Sequence, residues 1–372
     1  MEAKKMLNYI KAVLENMPKG WLSITTHRLD IYDEKLAKTQ FLGQFEGLFN
    51  NNNSESSALN ELPTAYDYIR LGHPLSSILE WGIARLNNTK AENVIGFSSQ
   101  TIPMLAILRK NLLDNKNTQI VYTGALPNTF DTDLLKQVYG YPFELKHVAD
   151  ITEIPEFKGS SIFFSQQEDI CNFDLSSKID FFINAHPRLG SILLVNGKPN
   201  ENYISEIQHV RRRETIAMTP ANCLTALKEL VQTSYSDSRK NNTDADKALV
   251  LTTIKDITGA PTKALVGSSG LSIQYAIMMG LIQHAQENYK GKKIKFIVPP
   301  NCYGGTNDQA RRVASCLADV EVVDLPVDGD SDMVQSLETV LTKIAREDAI
   351  PYIIAEIPTN PRVEVPDLNQ LR

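Results

Sequence analysis

Cysteine is scarce in this chain. Its 372 residues hold four, Cys171, Cys223, Cys302 and Cys316, with no C-x-x-C pair and no histidine beside them. A disulfide framework and a zinc site are both unsupported, and a reducing, cytoplasmic setting is the default expectation. Long apolar runs are missing too, so no segment reaches the ~18 residues that a membrane span needs. The N-terminal MEAKKMLNYIKAVLENM mixes charge with apolar residues at helical spacing, which marks an amphipathic helix and not a secretory signal. An excess of positive charge is also lacking: 38 Lys and Arg against 44 Asp and Glu leave a net charge of −6. Nucleic acid is therefore not expected as a partner. His186 has no ligand neighbours in sequence, so no metal is expected, and His73 reads as a turn-stabilising residue, with contact to a phosphate as the alternative. What is present, 42% hydrophobic and 22% charged residues, is the composition of an ordinary soluble protein.

Residues 1–60 read as an N-terminal helical arm whose first helix stops at Met17-Pro18-Lys19-Gly20. From Leu62 onward short apolar runs alternate with amphipathic stretches. Strands are expected at 94–97, 118–122, 161–164, 181–183, 191–195, 263–266, 295–298, 320–324 and 351–356. Helices are expected between them, for example over 76–86, 102–113, 219–232, 272–287 and 307–317. The pattern predicts an α/β fold with a mostly parallel sheet flanked by helices.

The pattern also repeats. AENVIGFSSQTIPMLAILRKN, from Ala91, matches PTKALVGSSGLSIQYAIMMGL, from Pro261, as apolar run, Ser-Ser turn and apolar helix. NTQIVYTGALPNTFDTDLLKQ then answers KIKFIVPPNCYGGTNDQARRV, and SSIFFSQQED answers PYIIAEIPTN. A duplicated unit accounts for the matched order of turns.

Four stretches carry the chemistry. Gly267-Ser268-Ser269-Gly270-Leu271 leads into a helix, and backbone N–H groups at a helix start suit a phosphate. In Tyr303-Gly304-Gly305-Thr306 the glycines leave the tyrosine ring clear to stack on a flat group. Glu356-Ile357-Pro358-Thr359-Asn360-Pro361 holds the Asn360 amide between two prolines, ready to bond an oxygen. All three follow apolar runs, and ligands of parallel sheets sit at the carboxyl ends of strands. Upstream, Tyr68-Ile69-Arg70-Leu71-Gly72-His73-Pro74 offers a hydroxyl and a planar guanidinium fork, a pair suited to gripping phosphate. Taken singly, each is also an ordinary turn or a surface charge.

In this order the four motifs resemble the Cys/Met-metabolism family of enzymes that use pyridoxal 5'-phosphate (PLP). Cystathionine γ-synthase, the cystathionine lyases and the homoserine-ester sulfhydrylases belong to it. The family shares a Y-x-R-x-G-x-P loop, an S-G-M turn, a Y-G-G-T turn and an E-x-P-S/T-N-P segment. The resemblance implies a PLP-dependent transferase-like fold (fold type I) with a degenerate duplicated unit. It implies that Ser269, Gly270 and Leu271 hold the PLP phosphate, that Tyr303 stacks on the ring and acts in proton transfer, and that Asn360 bonds the ring hydroxyl. Tyr68 and Arg70 are implied to reach the phosphate of a neighbouring site. The implied reaction is elimination or replacement on a sulfur amino acid or a homoserine ester.

The chain departs from the family in two ways. The Tyr68 loop lies next to the Ser98-Ser99 turn and far in sequence from Ser269. In that first copy the motif positions read Ser98-Ser99-Gln100, Leu126-Pro127-Asn128-Thr129 and Ser165-Gln166-Gln167-Glu168, and Asn184-Ala185-His186-Pro187-Arg188 replaces the lysine-bearing strand. An arginine stays protonated and cannot bind the cofactor covalently. The second copy keeps the ring-binding residues but has only Ser238-Arg239-Lys240-Asn241-Asn242-Thr243 where a Tyr-x-Arg loop belongs. The expected organisation is a helical arm (1–60), a degenerate unit (61–235) and the front part of a cofactor-binding unit (236–372). An intrachain pseudo-dimer or a homo-oligomer would let the first copy lend its loop. The family's lysine and ring-nitrogen aspartate would then lie beyond Arg372, in a longer tandem-copy protein. Two alternatives stay open: an inactive regulator or scaffold with this fold, and a phosphate or nucleotide binder that uses only the Gly270 turn.

Overall fold

The computed structural model describes residues 2–23, 34–63, 65–66, 68–232, 243–327, 332–359, 363 and 365–371. They divide into two units. Met1–Lys110, Asn117–Thr129 and Phe143–Ser268 make the first, and Asn111–Lys116, Phe130–Pro142 and Ser269–Arg372 the second. The expected boundary at 235/236, the stretch 238–242 and Asn360 lie outside the described residues.

In the first unit the amphipathic N-terminal segment forms α1 (Glu2–Asn16), which turns Met6, Tyr9, Ile10 and Val13 inward. α2 (Glu34–Asn50) adds Phe41, Phe45 and Phe49, α3 (Ser56–Asn60) adds Leu59, and α4 (Pro74–Leu86) is buried along most of its length. The rings of Tyr9, Phe45, Phe49 and Trp81 meet edge to face with centroids 5.2–5.6 Å apart. Residues 1–60 thus supply part of this unit's core and do not stand off as an arm, because apolar stripes this wide need covering.

The chain continues through β1 (Val94–Phe97), α5 (Ile102–Leu113), β2 (Thr118–Thr123), α6 (Thr132–Gln137), β3 (Glu144–His147), β4 (Ser160–Gln166), β5 (Phe181–His186) and β6 (Gly190–Val195). α7 (Ile204–Glu214), α8 (Pro220–Leu230) and α9 (Thr243–Thr258) follow. The sheet runs β1-β6-β5-β4-β2-β3. β5, β4, β2 and β3 pair in parallel, and β6 runs antiparallel between β5 and β1. β1, β5 and β6 are buried throughout, as continuous apolar strands covered on both faces must be. At Gly190, φ is +120° and an added Cβ would collide with the Phe97 carbonyl, so only glycine fits the entry to β6. β3, with the polar sequence ELKH at the sheet edge, carries no apolar signal and was not expected.

The second unit contains α10 (Gly270–Asn288), β7 (Ile294–Val298), α11 (Gly304–Ala314), β8 (Val320–Asp324), α12 (Met333–Arg346), β9 (Ile350–Ile353) and α13 (Leu368–Leu371). Its sheet is β8-β7-β9, all parallel. This is the order of β3-β2-β4, with strands entering in the same sequence and direction. Residues 130–142, which include α6, pack in this unit: Val138 joins the cluster of Met278, Ile282 and Phe296, and Tyr139 meets Tyr275.

One expected strand is absent. Residues 263–266 belong to no ladder among the described residues, and Leu265 is 75% exposed. An apolar run becomes a strand only where a neighbouring edge offers backbone partners, and sequence alone does not supply that edge. α11 begins at Gly304 and not at 307, so the two glycines form its first turn.

Candidate functional site

In the second unit the N-terminus of α10 is built by Ser269, whose backbone is extended (φ −158°, ψ 166°). Its Oγ accepts the Ser272 N–H at 3.1 Å, and Ser272 Oγ accepts the Ser269 N–H at 2.8 Å, a reciprocal capping box. The first-turn N–H groups of Gly270 and Leu271 have no intrahelical acceptor, and the helix dipole gives that end positive character. A Cβ at Gly270 would meet nothing within 4 Å, so the approach is open.

Tyr303 caps α11 and is half-buried. Its N–H donates to Glu356 Oε2 at 2.8 Å, which ties the start of α11 to the segment that leaves β9. Burial, reinforced by the Glu356 charge, pushes the adjacent Cys302 thiol up. The fully buried Gln309 donates from Nε2 to the Leu271 carbonyl at 2.9 Å, and Thr306 Oγ1 donates to Gln274 Oε1 at 3.1 Å. These bonds hold the N-termini of α10 and α11 side by side at the carboxyl edge of the sheet. Ser269, Gly270, Leu271 and Tyr303 therefore belong to one arrangement. Thr359 is buried next to the undescribed Asn360. The sequence alone does not mark Glu356 or Gln309 as site residues. Glu356 lay inside a recognised motif, whereas Gln309, on a helix face, had no signal of its own.

The Tyr68–Pro74 loop belongs to the first unit. The Arg70 guanidinium lies 4.5 Å from the Tyr68 ring centroid, and Arg70 is only 7% exposed. At Gly72, φ is +154° and an added Cβ would strike the Tyr66 ring. His73 caps α4: Nδ1 accepts the Ser76 N–H at 3.2 Å, and Nε2 lies 2.8 Å from the Met218 carbonyl. Burial pushes its pKa down to about 4. The ring is therefore neutral, with the proton on Nε2 donated to Met218.

The Arg211-Arg212-Arg213 run reads in sequence as a solvated face or interface, yet Arg211 is fully buried. Its guanidinium donates to Glu80 Oε1 at 2.7 Å, to the Gly96 carbonyl at 3.0 Å and to the Tyr66 hydroxyl at 3.2 Å. Lys38 pairs with Glu80 Oε2 at 2.6 Å. Burial alone would raise the Glu80 pKa, but Lys38, Arg211 and the Gly96 N–H together hold it below the usual range. The helical period hides this inward turn, because three consecutive arginines spread over most of a helix circumference.

The carboxyl edge of the first sheet is closed on itself. Ser99 Oγ accepts the Thr101 and Ile102 N–H groups at 3.3 and 3.2 Å, and Ser191 Oγ donates to the Ser99 carbonyl at 2.6 Å. Gln100 donates to the His186 carbonyl at 2.8 Å, and Ser165 Oγ donates to Asn184 Oδ1 at 2.9 Å. His186 is buried: Nδ1 accepts the Arg188 and Leu189 N–H groups at 3.0 Å, and Nε2 lies 2.9 Å from Glu168 Oε2. Among the described residues there is no group of three or more His, Cys, Asp or Glu able to hold a metal ion. No described helix is long and apolar enough to cross a membrane.

No protein-family model matches the sequence, and no curated protein matches it. Among solved structures the chain is similar to a putative O-acetylhomoserine (thiol)-lyase from Campylobacter jejuni that carries a pyridoxyl-lysine phosphate, at 12% identity over 60% of this chain and 70% of that one, TM-score 0.32. It is also similar to cystathionine γ-lyase from yeast, at 13% identity over 67% and 68%, TM-score 0.36. A third is MetB from Corynebacterium glutamicum, at 13% identity over 69% and 70%, TM-score 0.31.

Proposed function

We propose that this chain binds pyridoxal phosphate and forms part of a PLP-dependent enzyme that eliminates or replaces a substituent on a sulfur amino acid or homoserine ester. The observation that supports this best is the joint placement of the α10 N-terminus, Tyr303 and Glu356, linked through the Gln309–Leu271 and Tyr303–Glu356 bonds. The donor set fits the cofactor. Ser269 Oγ receives its bond from Ser272 and keeps its own proton to donate, and the Gly270 and Leu271 N–H groups are directed as an anion requires. Tyr303, half-buried and followed by the open Gly304 position, suits a flat aromatic ring. Bound there, the cofactor supplies an electron sink for bond breaking beside an amino group. The protein's part is to fix the phosphate, cover one ring face and hold or move a proton at the Tyr303 hydroxyl. Tyr68 and Arg70 are proposed as phosphate ligands of a neighbouring site, and Asn360 as the partner of the ring oxygen.

Affinity measurements with PLP, pyridoxal and inorganic phosphate test this reading. PLP should bind at least about tenfold tighter than pyridoxal, the effect of a charge-assisted phosphate contact. Tyr303→Ala should weaken PLP and leave inorganic phosphate unchanged. Equal affinity for PLP and pyridoxal would overturn the reading. An unchanged PLP affinity in Tyr303→Ala would favour a plain phosphate binder.

A further inference from the structure

The two sheets match in their backbone bonding. Ser160 N–H donates to the Asn117 carbonyl at the start of β4, and Ile350 N–H donates to the Lys293 carbonyl at the start of β9, both at 2.8 Å. Position 160 therefore corresponds to 350, 161 to 351, 163 to 353 and 165 to 355. In the first sheet β4 is paired on both sides, and its second partner is β5. In the second sheet β9 has β7 on one side and, among the described residues, no strand on the other. Phe163 is 8% exposed, whereas Ile353 at the matching position is 43% exposed. Ile357, Val363, Val365 and Leu368, which follow β9, are exposed as well.

Alternate residues of a parallel strand turn their backbone groups to opposite sides. Ile350 and Ile354 donate to Lys293 and Ile297, toward β7, so the N–H groups of Ile353 and Ala355 face the open side. Pro351 does not close this edge. At the matching position the Ser161 N–H bonds no strand and donates to the Asp180 carboxylate at 2.9 Å, so a proline there costs no ladder bond. Edges that face water are commonly blunted by charge. β3 carries Glu144 and Lys146, and β8 carries Glu321 and Asp324. Residues 350–355 read IPYIIA and carry none.

We propose that the open edge of β9 receives one apolar strand of polypeptide from outside residues 1–372, parallel to β9 and in the place that β5 holds beside β4. Its chemistry is that of Phe181–His186, which is buried on both faces. Main-chain bonds supply the affinity of such strand addition, and side chains supply its selectivity. A second copy of this chain is the poorer occupant, because two β9 edges meeting across a two-fold axis normal to the sheet run antiparallel. Glu356 follows β9 and accepts the Tyr303 N–H, so the added strand also braces the start of α11. The proposal does not depend on the cofactor reading.

Hydrogen exchange and calorimetry of the full chain with a synthetic peptide KIDFFINAH, which is β5 with the residues before it, test the proposal. Without peptide the Ile353 and Ala355 amides should exchange fast and the Ile354 amide slowly. The peptide should slow the first two by about tenfold or more. The same peptide N-methylated at the positions of Phe182 and Asn184, whose N–H groups face β4 in the first sheet, should not bind. Ile353→Pro removes an outward donor and leaves the bonds to β7, and it should weaken the peptide about fivefold or more. If that variant loses thermal stability, Ile353→Lys, which puts a charge where an apolar contact is required, should show the same loss of affinity. Slow exchange of Ile353 and Ala355 before peptide is added would overturn the open edge. Absence of peptide binding, or protection confined to other segments, would overturn the strand addition. Dimerisation of the full chain in sedimentation, abolished by Ile353→Pro, would overturn the proposed occupant in favour of a second copy.

Discussion

His73 shows how one residue of a ligand-like motif serves the fold. In the sequence it sits within a phosphate-type loop; in the structure it is buried, caps α4 and donates to Met218. Its pKa falls to about 4 from an ordinary 6.5, so the native state declines a proton that the unfolded chain accepts. The sign follows directly. Stability is full above about pH 6.5, declines as pH falls toward about 4, and levels off below, for a loss of about 3 kcal/mol. Urea midpoints at pH 7 and pH 5 should differ in the wild type, and His73→Asn, which retains a cap acceptor, should remove that component of the difference. An undiminished slope in His73→Asn would contradict the assignment. Arg211 and Glu80 make the same point about legibility. Residue type announced a charge, but only the packing of α4 against β1 and α7 shows it inside, where breaking such a pair costs about 3–5 kcal/mol.

Among the elements, most strands were legible because their apolar runs are continuous: β1, β4, β5 and β6 stand where runs of Val, Ile, Leu and Phe predict them. Residues 263–266 carry an equally good run and form no described strand, while the polar β3 does, through pairing with β2. Pairing partners are a tertiary property, and local sequence is silent about them. The glycines divide in the same way. Gly72 is required by its positive φ and by the Tyr66 ring against it, whereas a side chain at Gly270 would point into open space. Gly72→Ala should therefore destabilise the chain by about 1–3 kcal/mol through overpacking. Gly270→Ala should change stability by no more than about 1 kcal/mol, in the favourable direction. Thermal denaturation of both variants checks this, and a reversed order of effects would contradict the packing described for the loop.

At the scale of the whole molecule, the strand order β3-β2-β4 of the first unit equals β8-β7-β9 of the second, while 263–266, the expected counterpart of β1, forms no strand among the described residues. The two sheets differ in what lies at their carboxyl edges. The first is tied up by Ser99, Gln100, Ser165 and Ser191 bonding to its own chain, and the second presents the open Gly270 and Gly304 positions. The four chemical motifs could be found in sequence because glycine, proline and tyrosine punctuate them, among them the two at the starts of α10 and α11. The bonds that hold them together could not, since Gln309 and Gln274, the partners of Leu271 and of the motif's Thr306, are unremarkable helix residues until α10 and α11 lie side by side. The central claim is that the second unit receives the phosphate and ring of PLP at this edge. Hydrogen exchange of the full chain with and without PLP tests it most directly. The account predicts slowed exchange at the amides of Gly270, Leu271, Gly304 and Gly305, with pyridoxal giving much less at the first pair. Protection confined to other segments, or none at saturating PLP, would contradict it.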